Sequence, residues 1–459
     1  MRRVWAAFIL LGILTGLISS NAQAEKPLGS QMTIDASGYN ELGTAVAYSS
    51  LHDQYLVVYA REIDTNHSDI YGRFVDPKTQ TAIGDPFVIA NEADGGINAD
   101  EKYPDVAYDP YKDRFVVVYS HSTAGTSSNS IIKARVVYGS YQISGSQIPS
   151  GANYASIQTI SRKYSTPAIA YNADEHQFMT VYAEDLDTIT GAIFFVNPAG
   201  NSLTSDPGAG PFDIWQDGEI LYHHDVAWGG SSNSNFLVVW QKYDGSAGDR
   251  KIYGRYMYDT DQGSSDQGVN SSVYEISAVT TRGNDRHYFP AAAFNLRDDR
   301  YGVVYMSDNV ASGGPHYQID GVMLGGSPGT GSPIVSGSRT VIQPLDEIPG
   351  DSHTYPDISY SGLDGIFQVS YVSDHSFFDE DYSDIFMRWY TYSGASGAAS
   401  GRTLVSPGEA DKPRFDTSID GAGNGHCLVA WEQEFLISDH DIYARLMAPY
   451  EVFTPVVFK

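Results

Sequence analysis

The sequence contains little cysteine and few positive charges. Cys427 is the one cysteine among 459 residues, so an intramolecular disulfide framework is excluded and stability must come from packing. Asp and Glu number 56 against 28 Lys and Arg, which gives a formal net charge of −28. A surface of this charge repels nucleic acid and anionic membranes, so neither is expected as a partner.

Long apolar runs are absent except at the start of the chain. Two arginines and an apolar run occupy residues 2–17, and Ala-Gln-Ala at 22–24 matches a signal-peptidase site. The run is too short for a convincing membrane span. Residues 1–24 are therefore predicted to be a signal peptide. The chain from 25 to 459 is expected to be secreted or periplasmic, without a membrane span or a lipid anchor.

Helical periodicity is also missing, and a strand pattern repeats instead. Short runs rich in Val, Ile, Tyr and Phe are separated by turn residues, in a chain with 45 Gly and 21 Pro. One four-element pattern occurs seven times at intervals of roughly 60 residues. The repeats start near residues 43, 103, 166, 223, 289, 355 and 414.

Three elements of each repeat have a recognisable sequence. The first ends in an aromatic residue, as in Ala45-Val46-Ala47-Tyr48, and the third reads Asp69-Ile70-Tyr71-Gly72-Arg73. The second element also ends in an aromatic residue. These aromatic residues are Tyr59, Tyr119, Tyr182, Trp240, Tyr305, Tyr371 and Trp431.

Four strands repeated seven times predict an all-β fold, a single seven-bladed β-propeller of four-stranded antiparallel blades spanning 25–459. Residues 31–36 resemble a fourth element and precede the first repeat, so this N-terminal strand is predicted to close the ring. The tail 450–458 competes for that place. A β-solenoid and two stacked sandwich domains are the structural alternatives.

The Ala-Tyr, Val-Val-Tyr(Trp) and Asp-Ile-Tyr-Gly-Arg elements resemble those of bacterial extracellular repeat proteins taken to be β-propellers. The resemblance covers nearly the whole chain after the signal peptide. It implies the fold and export, whereas activity in such proteins is generally unassigned. It therefore identifies no catalytic residue.

Carboxylates and histidines are concentrated in predicted loops between strands. Alternating oxygen ligands such as Asp379-x-Asp381 suit Ca²⁺, although no loop completes an EF-hand. The candidate ligands are Asp64, Asn66, Asp69, Asp185, Asp187, Asp379, Asp381 and Asp439. Loop-face histidines are predicted at His223, His287 and His353. The alternative, solvated loops without a metal, is favoured over Ca²⁺ binding.

Two further sets of charged residues recur at fixed places in the repeat. Four carboxylates open the first element and are predicted to form a ring at the channel mouth: Asp105, Asp225, Asp357 and Asp416. They either hold a cation or accept hydrogen bonds from a neighbouring blade, and the second interpretation is favoured. A column of arginines is predicted to pair or to hydrogen-bond between blades: Arg73, Arg135, Arg255, Arg388 and Arg445.

No catalytic motif identifies a reaction. Residues 325–329 (Gly-Gly-Ser-Pro-Gly) fit Gly-x-Ser-x-Gly, but no helical pattern follows them as a nucleophile elbow requires. A sialidase-type Asp box is absent, so a binding function is predicted. The partner is expected to be a carbohydrate or an extracellular protein, bound through the acidic and aromatic loop face. Two alternatives remain: a carbohydrate-active hydrolase or lyase with paired carboxylates, and a structural component of an extracellular layer.

Overall fold

The computed structural model describes residues 26–448 outside the segments 65–66, 92–98, 124–128, 162–164, 206–209, 231–234, 245–248, 259–271, 278–285, 309–316, 328–331, 345–351, 363–365, 375–382, 394–395, 408–411 and 437–438. Every helix or strand in this part of the chain is a β-strand. The predicted signal peptide 1–24 and the tail 450–458 lie outside the described residues. No helix that could cross a membrane occurs in the described part.

The described residues from 26 to 229 form fifteen strands. They are β1 (Lys26–Asp35), β2 (Asn40–Ser49), β3 (Gln54–Asp64), β4 (His67–Asp76), β5 (Thr81–Ala90), β6 (Ala99–Asp109), β7 (Arg114–Thr123), β8 (Ser130–Tyr138), β9 (Ala155–Ile160), β10 (Ala168–Asn172), β11 (Gln177–Ala183), β12 (Thr188–Val196), β13 (Leu203–Ser205), β14 (Phe212–Gln216) and β15 (Leu221–Gly229).

The described residues from 235 to 448 form fifteen more. They are β16 (Asn235–Asp244), β17 (Asp249–Tyr258), β18 (Tyr274–Glu275), β19 (Arg286–Asn295), β20 (Arg300–Asp308), β21 (Tyr317–Gly325), β22 (Thr340–Gln343), β23 (Ser352–Tyr360), β24 (Phe367–Asp374), β25 (Ser383–Ser393), β26 (Ser396–Ala399), β27 (Thr403–Leu404), β28 (Arg414–Gly421), β29 (Cys427–Leu436) and β30 (Asp439–Ala448).

Successive strands pair antiparallel within consecutive units. In the first unit the order is β2-β3-β4, with β5 on the other side of β4. Two eight-stranded sheets each join two units through one parallel bridge, Ser68 with Asp100 and Arg250 with Arg286. The second strand of a unit is buried on both faces, as β11 is throughout, because sheets pack on both sides of it. This explains the continuous apolar runs seen in the sequence.

The first strands of the units surround a common axis. Each contacts the next, from β2 to β6, β10, β15, β19, β23 and β28, and β28 contacts β2. Apolar clusters fill the space between neighbouring sheets, for example Leu56 and Val58 with Phe115 and Val117. Sheets arranged radially around the axis of their first strands form a β-propeller.

The N-terminal strand belongs to the last sheet. β1 pairs antiparallel with β30, so that this sheet has the order β1-β30-β29-β28. Met32 and Ile34 on β1 are buried in a cluster with Leu428 and Val57, whereas Thr33 between them is exposed. The predicted pairing of residues 31–36 with the last repeat is confirmed for 31–35.

The arginine column joins neighbouring units. Arg73 donates to the Ile34 carbonyl at 2.8 Å, and Arg445 donates to the Val405 carbonyl at 2.9 Å. Arg135 and Arg255 make the same contact to Ile89 and Ile214. In each case the acceptor lies on, or directly after, the last strand of the preceding unit. The predicted hydrogen bonding between blades is confirmed, and Ile34 of β1 takes the same role as its counterparts.

Candidate functional site

A central cavity of about 640 Å³ runs along the axis of the propeller. Its walls come from the first strands of all units, from β2 to β28. Buried carboxylates line it, including the predicted ring residues. The site therefore has a polar, acidic interior, and its chemistry depends on how these carboxylates are used.

Three of the predicted ring residues connect adjacent first strands through both carboxylate oxygens. Asp105 accepts the backbone N–H of Val106 and that of Ile169 on the next unit, both at 2.8 Å. Asp225 accepts the N–H of the residue after it and that of Ala292, both at 2.7 Å. Asp357 does the same with Ile358 and Ile419, both at 2.8 Å. The interpretation of these residues as acceptors between blades is confirmed.

The assignment of Asp416 to the same position is wrong. In the strand register Ser418 pairs with Ala430, as Asp105 pairs with Val118. Asp416 lies two residues earlier, at a break in the ladder, with a φ of 41°. The aromatic residue used to align the other repeats is replaced here by Gly421, which shifted the alignment.

Sequence analysis also missed a fifth carboxylate in the cavity. Asp420 accepts the N–H of Tyr48 at 2.7 Å and that of Gly421 at 2.8 Å. Since Tyr48 lies on β2 and Asp420 on β28, this carboxylate connects the first and last units.

Burial raises the pKa of every one of these carboxyl groups. It raises the pKa of Asp105 to about 7 and that of Asp225 to about 6. The pKa of Asp416 is raised to about 7 and that of Asp420 to about 6, again chiefly by burial. For Asp357 burial, and then repulsion from Asp225, raises the pKa well above its usual value. The carboxyl groups that line the cavity are therefore expected to bind protons as the pH falls through the neutral range.

A strained backbone position recurs at the cavity mouth. Five first strands break their ladder with a bulge whose residue has a positive φ. These residues are Gly43 (59°), Tyr103 (54°), Phe289 (49°), Tyr355 (48°) and Asp416 (41°). Glycine adopts this conformation without strain, whereas bulky side chains disfavour it. Three of the five positions nevertheless carry an aromatic side chain.

The strain makes a testable prediction at Tyr103. At a positive φ, a Tyr103→Gly variant should be more stable than Tyr103→Ala by about 1 kcal/mol, because alanine keeps the strain that glycine relieves. Val341 on β22 has a comparable exposure, 45% against 41%, and no positive φ, so it serves as the control. There the order should invert, with Val341→Ala the more stable variant. Denaturant unfolding measures both differences, and the same order at both positions would contradict the strain.

Aromatic rings at three bulges of the first strands form a continuous arc. His223 lies 4.0 Å from Phe289, and Phe289 lies 4.6 Å from Tyr355, between ring centroids. All three line the cavity, and Tyr355 is 39% exposed. We call His223, Phe289 and Tyr355 the mouth arc. It presents a partly exposed aromatic surface across three neighbouring units.

The predicted loop-face histidines are not in loops. His223 lies within β15, and His287 and His353 are buried within β19 and β23. The strands β15, β19 and β23 begin earlier than expected because each continues through a bulge. Burial, and then Arg339 and Lys251, lower the pKa of His287 to about 4, and its ring packs edge-on against Tyr305. Of the three, only His223 is exposed at the mouth.

The predicted Ca²⁺ ligands divide into separate places. His67 lies 3.0 Å from Asp69 and 3.9 Å from Asp64. Asp185 accepts the N–H of Asp187 at 3.0 Å, and Asp439 lies at the start of β30. Asn66, Asp379 and Asp381 lie outside the described residues. Among the described residues no group of three or more His, Cys, Asp or Glu side chains is arranged to hold a metal. Ca²⁺ binding stays a prediction.

The fold is similar to those of solved structures of low sequence identity. An ulvan lyase from a new family of polysaccharide lyase matches with a TM-score of 0.52 and 14% identity, over 90% of this chain and 96% of that one. The intramolecular trans-sialidase of Ruminococcus gnavus has a TM-score of 0.46 and 11% identity, over 90% and 96%. The β-propeller domain of the Trilobed protease from Pyrococcus furiosus has a TM-score of 0.44 and 8% identity, over 93% and 99%.

No protein-family model and no curated protein matches the sequence. The structural likeness therefore concerns the fold alone. The radial arrangement of its sheets and the cavity along their axis identify the chain as a β-propeller protein.

Proposed function

We propose that the chain is a closed seven-bladed β-propeller that binds a carbohydrate across the mouth arc. Three contacts between the first and last units support closure of the ring. β1 pairs with β30, Arg73 bonds Ile34 as other column arginines bond their preceding unit, and Asp420 bonds Tyr48. The signal peptide predicted at 1–24 would export the protein to where extracellular polysaccharide is found.

The observation that carries the binding function is the retention of aromatic side chains at strained positions. Phe289 and Tyr355 have φ values of 49° and 48°, where glycine costs nothing, as Gly43 shows at the same position. Strain that persists at one place in a fold is typical of functional residues. Since the backbone gains nothing from these side chains, their value lies in what the rings contact.

The arc suits a carbohydrate better than the other predicted partners. Partly exposed aromatic rings offer flat apolar surface, which packs against the C–H face of a sugar ring, while nearby polar groups orient its hydroxyls. A hydrolase or lyase using the cavity carboxylates is not favoured. In the described residues Asp105, Asp225 and Asp357 already accept two backbone N–H groups each. A purely structural component would have no need of strained rings at the mouth.

Aromatic truncation tests the proposal. Phe289→Ala with Tyr355→Ala should weaken binding of any recognised glycan at least roughly tenfold, because hot-spot aromatics commonly contribute that much. Tyr111→Ala is the matched control, since Tyr111 is 61% exposed but lies in the β6–β7 turn at the other end of the first strands. A glycan array followed by titration calorimetry measures both effects.

Equal binding by the double variant and the wild type would refute the mouth arc as the site. A wild-type protein that binds no glycan on a broad array would contradict the proposed function itself.

A further inference from the structure

Beside the mouth arc lie two arginines that form no ion pair with a described residue. We infer that Arg250 and Arg286 form a subsite for a carboxylate or sulfate group, and that the bound carbohydrate is therefore an anionic one. The inference rests on the proposed binding of carbohydrate at the mouth arc. It assigns the arc a substrate class.

The two side chains are placed together by the sheet. Arg250 on β17 and Arg286 on β19 are partners in the single parallel bridge that joins their units. The guanidinium of Arg250 lies over two aromatic rings, 5.5 Å from the centroid of Tyr222 and 4.8 Å from that of Tyr288. Tyr222 and Tyr288 directly precede His223 and Phe289 in the chain, so the arginines border the mouth arc.

Neither arginine has an acidic partner among the described residues. No Asp or Glu of the described residues lies within 4.0 Å of either guanidinium, and neither group donates a hydrogen bond to a described residue. Asp308 is opposite Arg286 in the β19–β20 ladder, but no ion pair joins them. Other cations nearby are paired, as Lys251 is with Glu275 at 3.3 Å and Lys242 is with Asp217.

This arrangement is unusual for the charge of the chain. Acidic residues outnumber basic ones two to one, with 56 against 28, so most cations can find a partner. Two like charges on adjacent strands also repel each other. An arrangement that places them together without a described counter-charge is stabilised when an external anion binds. The protein's own acidic surface repels unspecific anions, so binding there requires a specific fit.

The geometry favours an oxyanion carried on a sugar. Guanidinium groups offer parallel N–H donors that match carboxylate or sulfate oxygens in pairs. The rings beneath Arg250 hold its plane in place, which reduces the entropy lost on binding. Tyr317 packs edge-on against Tyr288 at 5.8 Å and extends the aromatic floor. Burial, and then Tyr288 and Asp308, raise the pKa of Tyr317, whereas Arg286 and Arg250 oppose this rise, so both positive charges act on the same tyrosine.

The test uses three polymers that differ in charge: polygalacturonate with carboxylates, dextran sulfate with sulfates, and neutral dextran. Wild-type protein should bind one of the two anionic polymers and not dextran. Arg250→Gln should weaken that binding about 10- to 100-fold, the value of hydrogen bonds to a charged group. Arg297→Gln is the matched control. It removes the same charge from the β19–β20 turn, at the opposite end of β19. Its affinity should equal that of the wild type.

The outcomes separate this inference from the proposed function. Selective loss in Arg250→Gln supports the subsite, and the polymer affected identifies the oxyanion. Equal losses in both arginine variants indicate unspecific attraction and overturn it. Binding of neutral dextran alone, abolished by Phe289→Ala with Tyr355→Ala, overturns the anionic subsite and leaves carbohydrate binding intact. If no polymer binds and a broad array also fails, the proposed function fails and the inference fails with it.

Discussion

Deletion of residues 26–35 is expected to remove most of the stability of the fold. β1 supplies a complete edge of the last sheet, and its Met32 and Ile34 are buried between that sheet and β3. Truncating one buried large aliphatic side chain costs about 2–5 kcal/mol, and β1 contributes two together with its ladder to β30. Domains are stable by only about 5–15 kcal/mol in total. The deleted protein should therefore lose its cooperative thermal transition or melt more than roughly 10 °C lower.

Two further measurements test whether the effect of the deletion is due to the loss of β1. A synthetic peptide of residues 26–36, added in excess, should restore the transition, because β1 is held to the rest of the chain without covalent closure. Ile34→Ala should cost about 2–5 kcal/mol, whereas Thr33→Ala beside it is exposed and should cost less than about 0.5 kcal/mol. A deletion variant as stable as the full chain would show that β1 does not complete the fold.

Unfolding free energy is expected to fall by several kcal/mol between pH 5 and pH 8. In the folded state the pKa of Asp105 and that of Asp416 are raised to about 7, and those of Asp225 and Asp420 to about 6. Unfolded Asp titrates near 3.9, so within this window the folded state binds more protons than the unfolded one. Stability is then greatest below the unfolded pKa and is lost as pH rises through the folded pKa.

One titrating group opposes this trend in part of the window. The pKa of His287 is lowered to about 4, so its contribution grows as pH rises towards the unfolded value near 6.5. Asp105→Asn should flatten the pH dependence by about one proton, and Asp85→Asn, an exposed carboxylate on β5, should leave it unchanged. Urea unfolding at several pH values measures this. A stability that rises from pH 5 to pH 8 would show that the cavity carboxyl groups are not the dominant titrating groups.

Much of the architecture could be predicted from the sequence, because the repeat encodes it locally. The aromatic residues ending the second element, such as Tyr59 and Trp431, are buried in each unit, as their recurrence indicates. The arginine column could be interpreted correctly as well, since a contact that every unit needs recurs in most of them. The N-terminal strand was identified because it copies a fourth element before the first repeat.

The candidate site was harder to predict, because it depends on departures from the repeat. A bulge shifts the strand register, and the residue types at 289 and 355, phenylalanine and tyrosine, do not indicate a positive φ. The bulge also moved His287 and His353 from predicted loops into buried strands, whereas Asp416 was misplaced because Gly421 replaces the aromatic residue used for alignment. The arginine pair joins residues of two different units, so no single repeat contains it. The available signal was an aromatic residue where the first repeat has Gly43.

A crystal structure of the protein with an oligosaccharide selected by the binding panel tests the central claim most directly. The account predicts a sugar ring packed against Phe289 and Tyr355, with its anionic group within hydrogen-bond distance of Arg250. A saccharide bound elsewhere, with the mouth arc and both arginines left free of it, would contradict the account.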